Sequence, residues 1–271
     1  VAQTSIERVP ESRRDRKVRD FVHNYGLATA FIVLFLAAWE LAIRIFNVPE
    51  YLLPAPSQVA VAMKTDWFIL GPATWVTLKE VFFGFVIAAV AGIGLAVVLH
   101  ISSLLRRALY PVIIGSQTVP VVVLAPILVI LFGYGIMPKL MIVALICFFP
   151  IVVNGLDGLR SVDEDLIRMM KTLDASRWAI FRRVEFPAAL PLIFSGMRIA
   201  ATFASIGAVF GEWSGSNAGL GYVMLSATPN LLTARIFAAI VILTTIALVL
   251  FGLVSVAQRI VVPWAPRGGS M

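Results

Sequence analysis

Leu159–Pro191 reads LRSVDEDLIRMMKTLDASRWAIFRRVEFPAALP. Eleven of its 33 residues are charged, whereas the runs on either side are almost wholly apolar. Ser161 and Glu164 have the S-x-x-E spacing of a capping box, which predicts a helix start. Leu166, Met169, Met170 and Leu173 follow at i, i+3, i+4 and i+7 and place one apolar face on a short helix. Asp174 interrupts that pattern. Ser176 is placed to cap a second helix, on which Trp178, Phe181 and Val184 share a side. Pro187, lacking an amide and restricting the residue before it, is expected to stop that helix. A helix, tight turn and helix with outward apolar groups on a basic surface is built to dock against something.

The surrounding chain is a membrane protein by composition. It is 60% hydrophobic and 14% charged, against roughly 45–50% and about 25% in ordinary soluble domains. An all-α protein with six transmembrane helices is expected. Apolar runs of about 20 residues suffice to cross a bilayer, and they fall near 27–46, 76–99, 112–132, 138–153, 190–210 and 234–256. Residues 1–26 read as a polar cytoplasmic segment without a cleavable signal, with a short surface helix near 18–25. Residues 27–256 read as the transmembrane domain, with its charged loop at 159–191, and 257–271 as a cytoplasmic tail. Gly84, Gly92 and Gly94 are expected to let helices approach closely. Pro120 and Pro126 break the third run.

Sixteen of the 22 Lys and Arg residues fall in segments 1–26, 100–111, 154–190 and 257–271, and five on the other side. The positive-inside rule then puts both termini and the charged loop in the cytoplasm. The net charge of +7 is therefore sorted by membrane side and does not mark a nucleic-acid binder. The single cysteine, Cys147, excludes an internal disulfide. His23 and His100 lie far apart and support neither a metal site nor a catalytic dyad. There is no Gly-Lys-Ser or Gly-Lys-Thr loop, so if ATP drives this protein another chain binds it.

Aligned on Pro187, the loop resembles the coupling loop of permease subunits of bacterial ATP-binding-cassette (ABC) importers. That family pattern is Glu-Ala-Ala, three residues, Gly, nine residues, then Ile-x-Leu-Pro. This chain has Arg168-Met169-Met170, then Asp174 in the glycine position, then Val184-Glu185-Phe186-Pro187. The spacing is kept, while the triplet and the glycine are not. Asp174 suits the position if its backbone is left-handed, a region Asp visits more readily than most residues. Ala175-Ser176-Arg177-Trp178 is also similar to this family.

The resemblance implies a type I importer permease fold with a cytoplasmic coupling helix, in the bacterial inner membrane. It implies a second permease subunit, two ABC ATPase subunits that bind the ATP and Mg, and an extracytoplasmic solute-binding protein. By the same resemblance the permease itself is expected to carry no cofactor, no metal and no catalytic residue. The coupling residues would be Arg168, Asp174, Ala175, Ser176, Arg177, Phe181 and Pro187. Ile206-Gly-Ala-Val-Phe-Gly211-Glu212-Trp213 is more similar to pyrimidine and flavin permeases than to those for nitrate, sulfonates or taurine.

Polar groups within spans face a cavity or a partner helix by default. Gln117, Thr118 and Pro120 either line a translocation pathway or form a packing kink. Glu212 is either a pathway carboxylate or a capped one at the outer interface, and Thr202 and Ser205 precede it on roughly one face. Glu40 and Arg44 read as a structural ion pair. Glu80 and Lys79 read as interfacial, Arg198 as paired or snorkelling, and Asn154 as a cap or part of a cytoplasmic gate. The alternative of another class, an ion- or proton-coupled secondary transporter, would want mid-membrane carboxylates or histidines in two matching halves.

Overall fold

The computed structural model describes residues 13–264 and, for 13–25 and 28, only their place in a helix. The N-terminal 1–12 and the tail from 265 lie outside the described residues. Eleven α-helices follow one another with no strand among the described residues. They are α1 (Arg13–Ile45), α2 (Pro56–Thr65), α3 (Trp67–Ile101), α4 (Ser103–Ser116), α5 (Val121–Phe132) and α6 (Ile136–Arg160). Then come α7 (Glu164–Thr172), α8 (Arg177–Ile180), α9 (Phe186–Trp213), α10 (Leu220–Ala227) and α11 (Thr233–Val261).

Among the described residues, four helical stretches are long and apolar enough to cross a membrane: α3, α6, the α8–α9 run and α11. The pair α4–α5 is a fifth only if counted as one bent span. The apolar run from Leu27 belongs to α1, which is continuous from Arg13 rather than divided into a surface helix and a span.

The middle of the bundle is α6, packed between α3 and α9, with α11 against α9. Small residues let the backbones meet. A Cβ at Gly84 would lie 2.5 Å from Cβ of Val143, one at Gly92 2.9 Å from Ile151, and one at Gly196 2.5 Å from the Pro150 carbonyl. Gly94 has nothing within 4 Å and does not serve the close approach expected of it.

Two predicted spans need correction. The third, 112–132, is not one span axis: α4 and α5 meet at 101°. Pro120 is the cause, since it has no amide to continue α4 and keeps Val119 out of the helical region. Pro126 sits inside α5 without ending it. The fourth, 138–153, is longer than expected. It starts directly after the Gly133–Gly135 turn, where Gly133 has φ +75°, and runs on to Arg160.

Candidate functional site

The charged segment forms the helix–turn–helix expected of it, with different caps. Ser161 is still in helical geometry at the end of α6, and its hydroxyl donates back to the Gly158 carbonyl at 2.8 Å. Asp163 begins α7 instead, its carboxylate accepting from the Asp165 amide at 2.8 Å. The Ser161–Glu164 capping box is therefore not formed. Glu164 and Asp165 are left to pair with Arg168 at 3.3 and 3.2 Å, on a fully solvated face.

None of the α7 side chains is buried, and Leu166, Met169 and Leu173 are exposed. The apolar stripe on this nine-residue helix is thus exposed at Leu166, Met169 and Leu173 and half-buried at Met170, which suits it to dock a partner.

The turn that ends α7 is a Schellman motif. The Asp174 amide donates to Lys171 and the Ala175 amide to Met170, both at 3.1 Å, and Asp174 has φ +54°. This is the left-handed residue that the glycine position requires. We expect Asp174→Gly to keep the turn or tighten it. Asp174→Val, whose branched side chain resists positive φ, should cost about 1–2 kcal/mol locally. ATPase activity coupled to transport then falls in the valine variant alone; equal coupling in both would show that the turn geometry is idle.

Ser176 caps the second helix as expected, accepting from the Ala179 amide at 3.2 Å. Pro187 does not stop that helix. Residues Phe181–Glu185 widen into a π-turn, in which the Phe186 amide bonds to the Phe181 carbonyl five residues back. One added residue per turn gives the proline ring room beside the preceding turn, so the chain runs unbroken from Arg177 to Trp213.

The aromatic groups divide the segment into two faces. Trp178 is 65% exposed and stacks on Phe181 with ring centroids 5.5 Å apart. Phe181 itself is half-buried against Phe186 and His100. The outward aromatic of the segment is thus Trp178 more than Phe181. His100, unpartnered in the sequence reading, sits 2.9 Å from the Glu185 carboxylate and ties the end of α3 to the π-turn. Two long helices, α3 and α9, are therefore fastened to the charged segment.

At the opposite end of the bundle lies a buried polar cluster. Glu212, 0% exposed, accepts from the Thr77 hydroxyl at 2.6 Å and from the amides of Gly221 and Tyr222 in the first turn of α10. The Leu220 amide donates to Thr77 at 2.9 Å. Between them Glu212 and Thr77 satisfy three of the four free amides with which a helix begins. Gly219, at φ +109°, leaves the carboxylate its place, since a Cβ there would overlap it.

Glu80 is 1% exposed and pairs with Lys139 at 2.8 Å, while Lys139 also donates to Ser216 at 2.6 Å. The interfacial reading of Glu80 is wrong. It lies on the inner face of α3 with Ala73, Thr77, Gly84, Ala88, Gly92 and Ala96, all buried. That small-residue stripe was the available signal. Lys79, one residue earlier, faces outward with its ammonium 5.2 Å over the Trp75 ring.

The other polar residues scatter. Ser205 is buried and donates to the Leu243 carbonyl of α11 at 3.3 Å. Thr202, roughly 60° around the helix from it, is exposed and bonds its own helix at Ile199. Gln117, Thr118 and Pro120 are exposed at the α4–α5 bend, and the Thr118 hydroxyl bonds to Gly115 at 2.7 Å. The expected polar face of Thr202, Ser205 and Glu212 is therefore split, with two members inside the bundle and one outside it. Glu40 and Arg44 pair as expected, and Glu40 also accepts from the Ser57 amide and hydroxyl at the start of α2. Asn154 bonds within α6 to the Pro150 carbonyl.

Comparison with known proteins assigns this architecture. Residues 84–265 match the family described as the binding-protein-dependent transport system inner membrane component. The chain belongs to that family. It is similar to the formylaminopyrimidine transport permease protein ThiX of Halalkalibacterium halodurans, with 35% identity over 88% of this chain and 96% of the relative. It is similar to the riboflavin transport system permease protein RibX of Chloroflexus aurantiacus, also at 35%, over 86% and 88%. The taurine transport system permease protein TauC of Escherichia coli is 28% identical over 88% and 89%. In fold the chain is similar to the MetNI methionine ABC transporter in inward-facing conformations, with a TM-score of 0.61 over 70% of this chain and 94% of that one, at 19% identity. It is a membrane-embedded ABC importer permease subunit, a non-catalytic transport component, and the secondary-transporter reading has no support among these relatives.

Proposed function

We propose that this permease moves a neutral or cationic heterocycle of the pyrimidine or flavin kind, handed to it by an extracytoplasmic binding protein. Two copies would enclose the pathway, and two ATPase subunits would receive the exposed faces of α7 and α8 from the cytoplasm, where both termini also lie. The observation that carries the coupling is the unbroken helix from Arg177 to Trp213. A push on the α7–α8 turn around Asp174, Ala175 and Ser176 reaches the far end of α9 without passing through a flexible joint. The His100–Glu185 contact passes the same push to α3.

The substrate class rests on identity, at 35% with the formylaminopyrimidine and riboflavin permeases and 27–28% with those named for sulfonates and taurine. Gln117, Thr118 and Thr202 are exposed polar residues that would meet the solute between two copies. Ser205 and Glu212 would hold the wall from within.

The test is uptake into vesicles that hold the chain with its ATPase, supplied with its extracytoplasmic binding protein. ATP-dependent accumulation of a labelled aminopyrimidine or riboflavin, but not of taurine or nitrate, is the expected result. Accumulation of taurine or another sulfonate at a comparable rate would overturn the substrate assignment and leave the permease assignment standing.

A further inference from the structure

The geometry points to a binding site for one anionic phospholipid between α1, α2 and α11, in the leaflet remote from the coupling segment. The coupling end of α3 is marked by His100, which reaches Glu185. Trp67, at the other end of α3, therefore lies at the opposite membrane surface, along with α2 and the start of α11.

At that end α1 stands off from the bundle. Ile43 is the only buried residue among its described side chains, and its polar anchor is Glu40 at the start of α2. A cavity of about 650 Å³ separates α1 from α2 and α11. Its walls include Trp39, Met63, Phe237 and Val241, with Trp67 and Lys64 the residues of interfacial type. Trp39 and Phe237 meet across it with ring centroids 5.8 Å apart.

The volume is that of a ligand site, and its lining is apolar with a single charge, which is the usual composition of such sites. A gap of this kind beside a lipid-facing helix fills with hydrocarbon, because water would find almost nothing to bond with there. The charge selects which hydrocarbon. Lys64 is exposed and has no carboxylate partner among the described residues, while the nearby Asp66 is taken by Arg235 at 2.6 Å. A lysine stem laid along the groove carries its ammonium to the headgroup level. An interfacial tryptophan such as Trp67 sits at the same depth. The occupant matching this pattern has an acyl chain for the aromatic walls and an uncompensated phosphate for Lys64. The buried Trp39 indole N–H, which has no acceptor among the described residues, adds a donor beside that chain.

The experiment is native mass spectrometry of the full chain purified from the membrane, after exchange into nanodiscs of phosphatidylglycerol and phosphatidylcholine in equal amounts. One phosphatidylglycerol retained per chain, at least tenfold over phosphatidylcholine, is the expected result. Lys64→Gln should abolish that preference. Ala60→Trp, which fills the groove and leaves the lysine, should abolish retention of either lipid. Lys64 is exposed and makes no ion pair among the described residues, so its variant reads binding and not folding. Equal retention of both lipids, or retention indifferent to both substitutions, would overturn the site. So would efficient cross-linking between two copies through Met63→Cys, because the groove would then be covered by a second chain.

Discussion

Lys139→Met should destabilise the purified protein by about 3–5 kcal/mol, the usual cost of leaving one member of a buried ion pair alone. Glu80 is 1% exposed, and without Lys139 its carboxylate has no cation to face. The Ser216 hydroxyl loses its lysine donor in the same step and with it part of the hold on the α9–α10 loop. The double variant Glu80→Leu with Lys139→Met removes both charges together. It should recover most of the loss, since apolar replacement of a complete buried pair is often neutral or better. Thermal unfolding in mild detergent measures the series. A single Lys139→Met variant as stable as the parent would mean that the pair is not buried in the membrane-embedded protein.

Glu212 separates two roles that a carboxylate near the end of a span can have. Glu212→Ala orphans the amides of Gly221 and Tyr222, at roughly 1–3 kcal/mol each. The first turn of α10 should then loosen, and the variant should express poorly. Glu212→Gln is different. Its amide oxygen can accept from the α10 amides, and its NH2 can donate to Thr77, whose hydroxyl turns to the Ala73 carbonyl it already approaches at 3.2 Å. A cap therefore survives the glutamine and a charged pathway group does not. Near-parental stability and transport in Glu212→Gln, with collapse in Glu212→Ala, is the expected pattern. A folded Glu212→Gln variant that has lost transport would put the charge itself in the pathway.

The contrast between these sites and the charged segment 159–191 explains what could be read from the chain alone. The turn at Asp174 and the cap at Ser176 are local, and residues one to five apart decide them, so their sequence carries them. The apolar stripe of α7 was visible for the same reason. The π-turn at Phe181–Glu185 was not, because Pro187 reads as a stop unless the preceding turn is already known to be wide. Ser161 lost its cap to Asp163 since α6 runs on to Arg160, a length that hydropathy alone underestimated by ending the span near Val153. The 101° bend between α4 and α5 was half visible: Pro120 announced a break, and nothing local stated its angle. The Glu80–Lys139 pair joins residues 59 apart in sequence, and only the small-residue face shared with Thr77 and Gly84 hinted that Glu80 points inward. Long-range polar pairing was the part beyond reach.

In the proposed mechanism α7 and α8 form the surface that receives an ATPase subunit. The most direct measurement is co-purification of the tagged chain from its membrane in mild detergent, with the parental protein compared with Arg177→Glu combined with Trp178→Ala. Both side chains are exposed and neither supports the bundle, so the variant should fold and retain its thermal transition. The parental chain should bring down an ATPase carrying a phosphate-binding loop at near-equal stoichiometry, and the variant should lose at least nine-tenths of it. Equal recovery of the ATPase with both proteins would contradict the account and place the contact elsewhere on the permease.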